Sequence, residues 1–176
     1  MILFAKIWMA SVVIIYTIVI LTKFGWQKSY SMSYYNYNTH PFWKYAFSFF
    51  CFSIGYPAII LGATPLIFFA GVLIMLVGVA GAFLGKDPED KEDDDNLVWW
   101  MHMIGAYGGI ILAQLSIAID FKQYWVNAAF VVLSILILIF RNKLPKWENP
   151  DTGELEPTHF FWIELVAILS IIKVLI

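Results

Sequence analysis

The sequence predicts an all-α, polytopic membrane protein with six transmembrane helices in one bundle and no second domain. Two observations carry this. Of 176 residues, 61% are hydrophobic and only 14% are charged, whereas a soluble domain is about 45–50% apolar and about 25% charged. A water-soluble fold of this size still exposes about a third of its unfolded surface, so it could not hide that much apolar area. Second, no charged residue occurs over the 41 positions from Tyr45 to Gly85. As one helix that run would be about 60 Å long, twice the hydrocarbon thickness, so it must fold back on itself.

The elements follow in order. Residues 2–22 make a first span, apolar from the second residue, without a basic leader region or a small-residue cleavage pattern, and so read as a retained helix. Lys6 can snorkel outward and Lys23 closes the span. A polar, aromatic connector with Tyr30, Tyr34, Tyr35 and Tyr37 leads to the second span, 43–61, with a kink expected near Pro57. Gly62-Ala63-Thr64-Pro65 supplies the turn, since Gly ends helices and Pro begins them. The third span is 66–85. Residues 86–96 hold seven acids and two lysines and must be solvated. The fourth span, 97–119, opens with the interfacial pair Trp99-Trp100, and the fifth is 123–140. The proline-containing polar loop 141–158 ends on Thr158, a candidate cap for the sixth span, 159–176.

Six spans put both ends of the chain on one side. Eight of the eleven basic residues then lie in loops 1, 3 and 5, which predicts those loops to be cytoplasmic, in a bacterial inner membrane or its equivalent. A net charge of −2 and a pI near 5.8 offer no basic face for nucleic acid. The single cysteine, Cys51, excludes a disulfide framework. The three histidines lack metal-ligand spacing, so neither metal nor cofactor is expected. The acidic loop lacks the glycine and register of a calcium loop.

Four residues are candidates for an intramembrane polar site. At 100° per residue, His102, Ser116 and Asp120 share one meridian of the fourth span with Ala106, Gly109 and Ala113. His102 and Asp120 are five turns, or about 27 Å, apart. Glu164 is the one carboxylate inside a predicted span, where an ionised group costs at least about 2.5–3.5 kcal/mol. His102 and Glu164 enter their spans from the same side and lie at similar depth, so they are expected to meet in one polar site. Gly105 and Gly109 on the fourth span, and Gly81 and Gly85 on the third, are expected helix-packing positions, because small residues let helices approach closely in lipid. The stripe on the fourth span reads either as a packing face or as a narrow polar path.

The aromatic first loop, the Gly-rich third span and the stretch Trp99-Trp100-Met101-His102-Met103-Ile104-Gly105-Ala106 resemble the bacterial six-helix membrane proteins related to the DRAM and Sfk-like family. The resemblance implies the six-helix layout, matches His102 alone among the site residues, and implies no reaction. The residues themselves favour a non-enzymatic membrane component that packs with copies of itself, a protein partner or lipid. A small channel or transporter, with a polar path drawn from His102, Gln114, Ser116, Asp120, Asn127 and Glu164, is the alternative. A membrane-embedded lipid hydrolase comes third.

Overall fold

A computed structural model describes residues 2–31, 42–83, 96–149 and 152–175. The acidic loop 86–96, apart from Asn96, and Gly85 lie outside the described residues. The chain is mostly helical: α1 (Ile2–Phe24), α2 (Phe42–Gly62), α3 (Pro65–Phe83), α4 (Asn96–Met103), a π-helical turn (Ile104–Gly108), α5 (Gly109–Ile119), α6 (Tyr124–Ile139) and α7 (His159–Leu175). Among the described residues, three stretches are long and apolar enough to cross a membrane: Ile2–Phe24, Tyr45–Gly62 and Leu97–Ile119. The last of these joins α4, the π turn and α5 into one rod.

The α2–α3 hairpin forms where the sequence demands it. Gly62 ends α2, Ala63 takes a left-handed φ of 51°, and Pro65 opens α3, where its missing N–H costs nothing. Thr64 caps the helix: its hydroxyl accepts the Ile67 N–H at 3.4 Å, and its carbonyl accepts that of Phe68 at 2.9 Å. Helix α2 runs through Pro57. The two helices approach backbone to backbone, because a Cβ on Gly71 would lie 2.6 Å from the Gly55 carbonyl oxygen. Ser48 Oγ fastens the pair by donating to the Gly78 carbonyl at 2.7 Å.

The remaining helices assemble around this hairpin. Helix α1 lays Met9, Val13, Tyr16 and Ile20, one buried stripe, against α2. Tyr16 stacks on Phe50 with ring centroids 4.2 Å apart. Helix α5 packs on α3, and α7 packs chiefly on α6.

The loop 141–158 differs from the all-helical expectation. It begins with a 3-10 turn, Arg141–Lys143, and then forms an antiparallel hairpin of β1 (Lys146–Glu148) and β2 (Leu155–Pro157), with Trp147 opposite Glu156. Gly153, at φ +68°, serves the connecting turn. Pro157 donates no N–H, which a strand of a two-stranded hairpin tolerates because one of its edges is unpaired. Thr158 does not cap α7 through its hydroxyl, which instead donates to the Pro145 carbonyl at 2.8 Å and ties the hairpin to itself.

Candidate functional site: a cavity beneath the first loop

Loop residues 26–31 fold down onto the first turn of α7. The Phe161 N–H, one of the unpaired donors at a helix start, reaches the Lys28 carbonyl at 2.9 Å. The Tyr30 N–H donates to Glu164 Oε2 at 2.6 Å. Tyr30 is itself buried, stacked between Phe161 at 4.5 Å and Phe50 at 5.5 Å. Its hydroxyl shares a 2.7 Å hydrogen bond with Thr17 Oγ1. Burial pushes that hydroxyl up to about 12, against the Thr17 bond, with the Glu164 charge adding a little. Outside the bundle, Lys28 and Glu156 form an ion pair at 2.6 Å, which holds the Glu156 carboxyl below its ordinary range.

Below this loop lies a cavity of about 90 Å³. Its described walls come from α2 (Phe47, Phe50, Cys51, Ile54), α3 (Ile74, Val77), the α4–α5 rod (His102, Ala106, Ile110) and α7 (Glu164, Ala167, Ile168, Ile171), with Tyr30 and Ser31 as its roof. The lining is almost wholly apolar. His102 and Glu164 are its charged or titratable exceptions on the helices, together with the Cys51 thiol. The structure thus brings the two expected residues to one cavity, but among the described residues it draws no hydrogen bond between them. Glu164 is held by Tyr30, and His102 Nδ1 is buried without a partner among the described residues.

Ser116 and Asp120 belong elsewhere. Ser116 Oγ donates to Asp120 Oδ2 at 2.7 Å and lies 3.2 Å from Thr64 Oγ1. This chain fastens the end of α5 to the α2–α3 turn, at the opposite end of the rod from His102. A third polar cluster lies between them. Gln114 Nε2 donates to Ser170 Oγ at 2.6 Å, while Asn127 Nδ2 donates to the Gln114 carbonyl and to Gln114 Oε1, both at 3.1 Å. These groups satisfy one another across α5, α6 and α7.

The glycines of the rod are packing positions within the chain. A Cβ on Gly105 would lie 2.7 Å from Val77 Cγ2 and 2.8 Å from the Leu73 carbonyl oxygen, so α3 approaches to backbone contact. At Gly109 the nearest atom would be Ile74 Cγ1 at 3.1 Å. Gly81 lies in α3. Among the described residues, no three His, Cys, Asp or Glu side chains come together in a way that could hold a metal ion.

Tyr30 is the site residue that sequence reasoning missed. It was one tyrosine among several in a connector, and nothing local marks it as the partner of a residue 134 positions away. No protein family matches the chain, and neither does any curated protein or solved structure.

Proposed function

We propose that the chain is a six-span integral membrane protein that acts as a non-enzymatic membrane component, packing its apolar exterior against lipid, a membrane-protein partner or a copy of itself. The observation that carries this is α6. Val126 is its one buried residue, while Val131, Val132, Leu133, Ile135, Leu136, Leu138 and Ile139 are exposed. A run of that kind has no stable place in water. Tyr124 and Trp125 at one end of α6, and Arg141 and Lys143 just past the other, suit the two interfaces of a bilayer. Helices α3, α6 and α7 have 19, 16 and 17 residues. At 1.5 Å per residue they are about 24–28 Å long, within the mismatch a bilayer absorbs by thinning. The connections 63–64 and 120–123 are too short to cross a membrane, so the helices on either side of each run antiparallel.

The charge asymmetry of the loops supports loops 1, 3 and 5 in the cytoplasm, in a bacterial inner membrane or its equivalent. The polar-path alternative has less behind it, because Gln114, Asn127 and Ser170 spend their hydrogen bonds on one another and Ser116 on Asp120. Native mass spectrometry of the protein released from nanodiscs tests the reading: bound lipid, a partner or a multimer supports it. A lipid-free, strictly monomeric population contradicts it, and ion flux through proteoliposomes would favour the channel.

A further inference from the structure

The cavity beneath the first loop is polarised along its length. His102, Glu164 and the Tyr30 roof lie at one end, and Ile110 and Ile171 lie seven to eight residues deeper, about 10–12 Å along the helices. The Gln114–Ser170 bond lies at the level of that apolar end. Ala106, Ile110 and Ile168 are only half-buried, so the cavity opens beside them, between the rod and α7. Such a shape, with a polar group near the loops and an apolar channel directed inward, matches an amphiphile inserted with its head at the interface.

The chemistry of the head follows from the lining. Glu164 uses Oε2 for Tyr30, and its second oxygen accepts no hydrogen bond among the described residues. Among the described residues no lysine or arginine lines the cavity. We propose that this cavity binds a single-tailed alkylammonium amphiphile, its ammonium on Glu164 and its tail along Ile54, Ile110 and Ile171, leaving through the opening beside Ala106, Ile110 and Ile168. A carboxylate head would meet Glu164 as a like charge, and an alcohol would gain a hydrogen bond without the ion pair. A phospholipid amine would bring its phosphate to the same acidic end. The inference rests on the membrane reading above, which the bilayer-sidedness measurement at the end of the Discussion tests without any ligand.

The test is native mass spectrometry of the full chain in detergent, titrated in turn with dodecylammonium, dodecanol, dodecanoate and lysophosphatidylethanolamine. Dodecylammonium is expected to add once per chain, at least about tenfold tighter than the other three. Glu164→Gln should bring it down to the level of the alcohol. Ile168→Trp, which fills the mouth, should abolish the specific adduct. Equal binding of amine and alcohol by the unaltered chain overturns the proposal without any variant, and tighter binding of the lysophospholipid assigns the cavity to a membrane lipid instead. An undiminished amine adduct in Glu164→Gln also overturns it.

Discussion

The main-chain N–H of Tyr30 and the carboxylate of Glu164 meet at 2.6 Å across 134 positions of sequence. That bond holds residues 26–31 over the cavity and gives the Glu164 carboxyl a donor that does not depend on another charged side chain. Such a bond is worth about 0.5–3 kcal/mol, the upper part of the range applying to an ionised acceptor. Glu164→Ala leaves the Tyr30 N–H without its acceptor and should lower the melting temperature in detergent, while Glu164→Gln, which keeps an acceptor, should cost less. Trypsin cleavage after Lys28 should accelerate in the alanine variant. Unchanged cleavage and melting would mean that the loop is held without this bond.

Gly105 and Gly109 separate steric contact from mere composition. Gly105→Ala drives a methyl into the Leu73 carbonyl and Val77, against backbone that cannot yield cheaply, so a loss of about 1–3 kcal/mol is expected. Gly109→Ala meets Ile74 Cγ1 at 3.1 Å, with no backbone atom nearer than 3.5 Å, and should cost distinctly less. Thermal unfolding of the two variants side by side reads the difference, and equal effects would contradict the close approach of the rod to α3.

The Gln114–Asn127 contact joins α5 to α6 inside apolar surroundings. Asn127→Ala should cost about 0.6–1.7 kcal/mol, the range seen for polar contacts between membrane helices. A double-mutant cycle with Gln114→Leu should give a coupling of at least about 0.5 kcal/mol. Strict additivity would show that the two side chains act independently.

Lys28 and Glu156 set an acid limit for the docked hairpin. The Lys28 ammonium holds the folded Glu156 carboxyl below its ordinary value of 4.5. Its stabilisation is therefore complete above pH 4.5 and is lost as the pH falls through the depressed folded value. The pair is partly exposed, so it is worth less than about 1 kcal/mol and weakens with salt. Cleavage within the hairpin should rise on acidification below pH 4.5 in the unaltered chain, and that acid-dependent rise should be smaller in Lys28→Ala. An identical acid response in both would assign it to another group.

The parts of the fold legible in the sequence are those fixed by local chemistry. Gly62 to Pro65 could only be a helix stop and start, and long uncharged runs could only be helices. Gly105 and Gly109 marked a packing face, although not which helix would fill it. The partners of polar residues were not legible, because they depend on how helices rotate against one another. Tyr30 finding Glu164, or Asn127 finding Gln114, leaves no trace in spacing. The Ser116–Asp120 bond was legible, since the two are four residues apart on a helix, but their shared meridian with His102 drew them into a longer path. The hairpin at 146–157 escaped because its strands are three residues long, too short for an alternating pattern to register.

The central claim is six passages through a bilayer, and the sidedness of four exposed positions tests it directly. In a chain carrying Cys51→Ser, single cysteines are introduced as Lys23→Cys, Ala63→Cys, Lys122→Cys and Thr152→Cys, and intact vesicles are treated with a membrane-impermeant thiol reagent. Six spans predict that positions 23 and 152 react from one face and positions 63 and 122 from the other. Labelling of positions 63 and 152 from the same face, or of positions 122 and 152 together, would contradict the account.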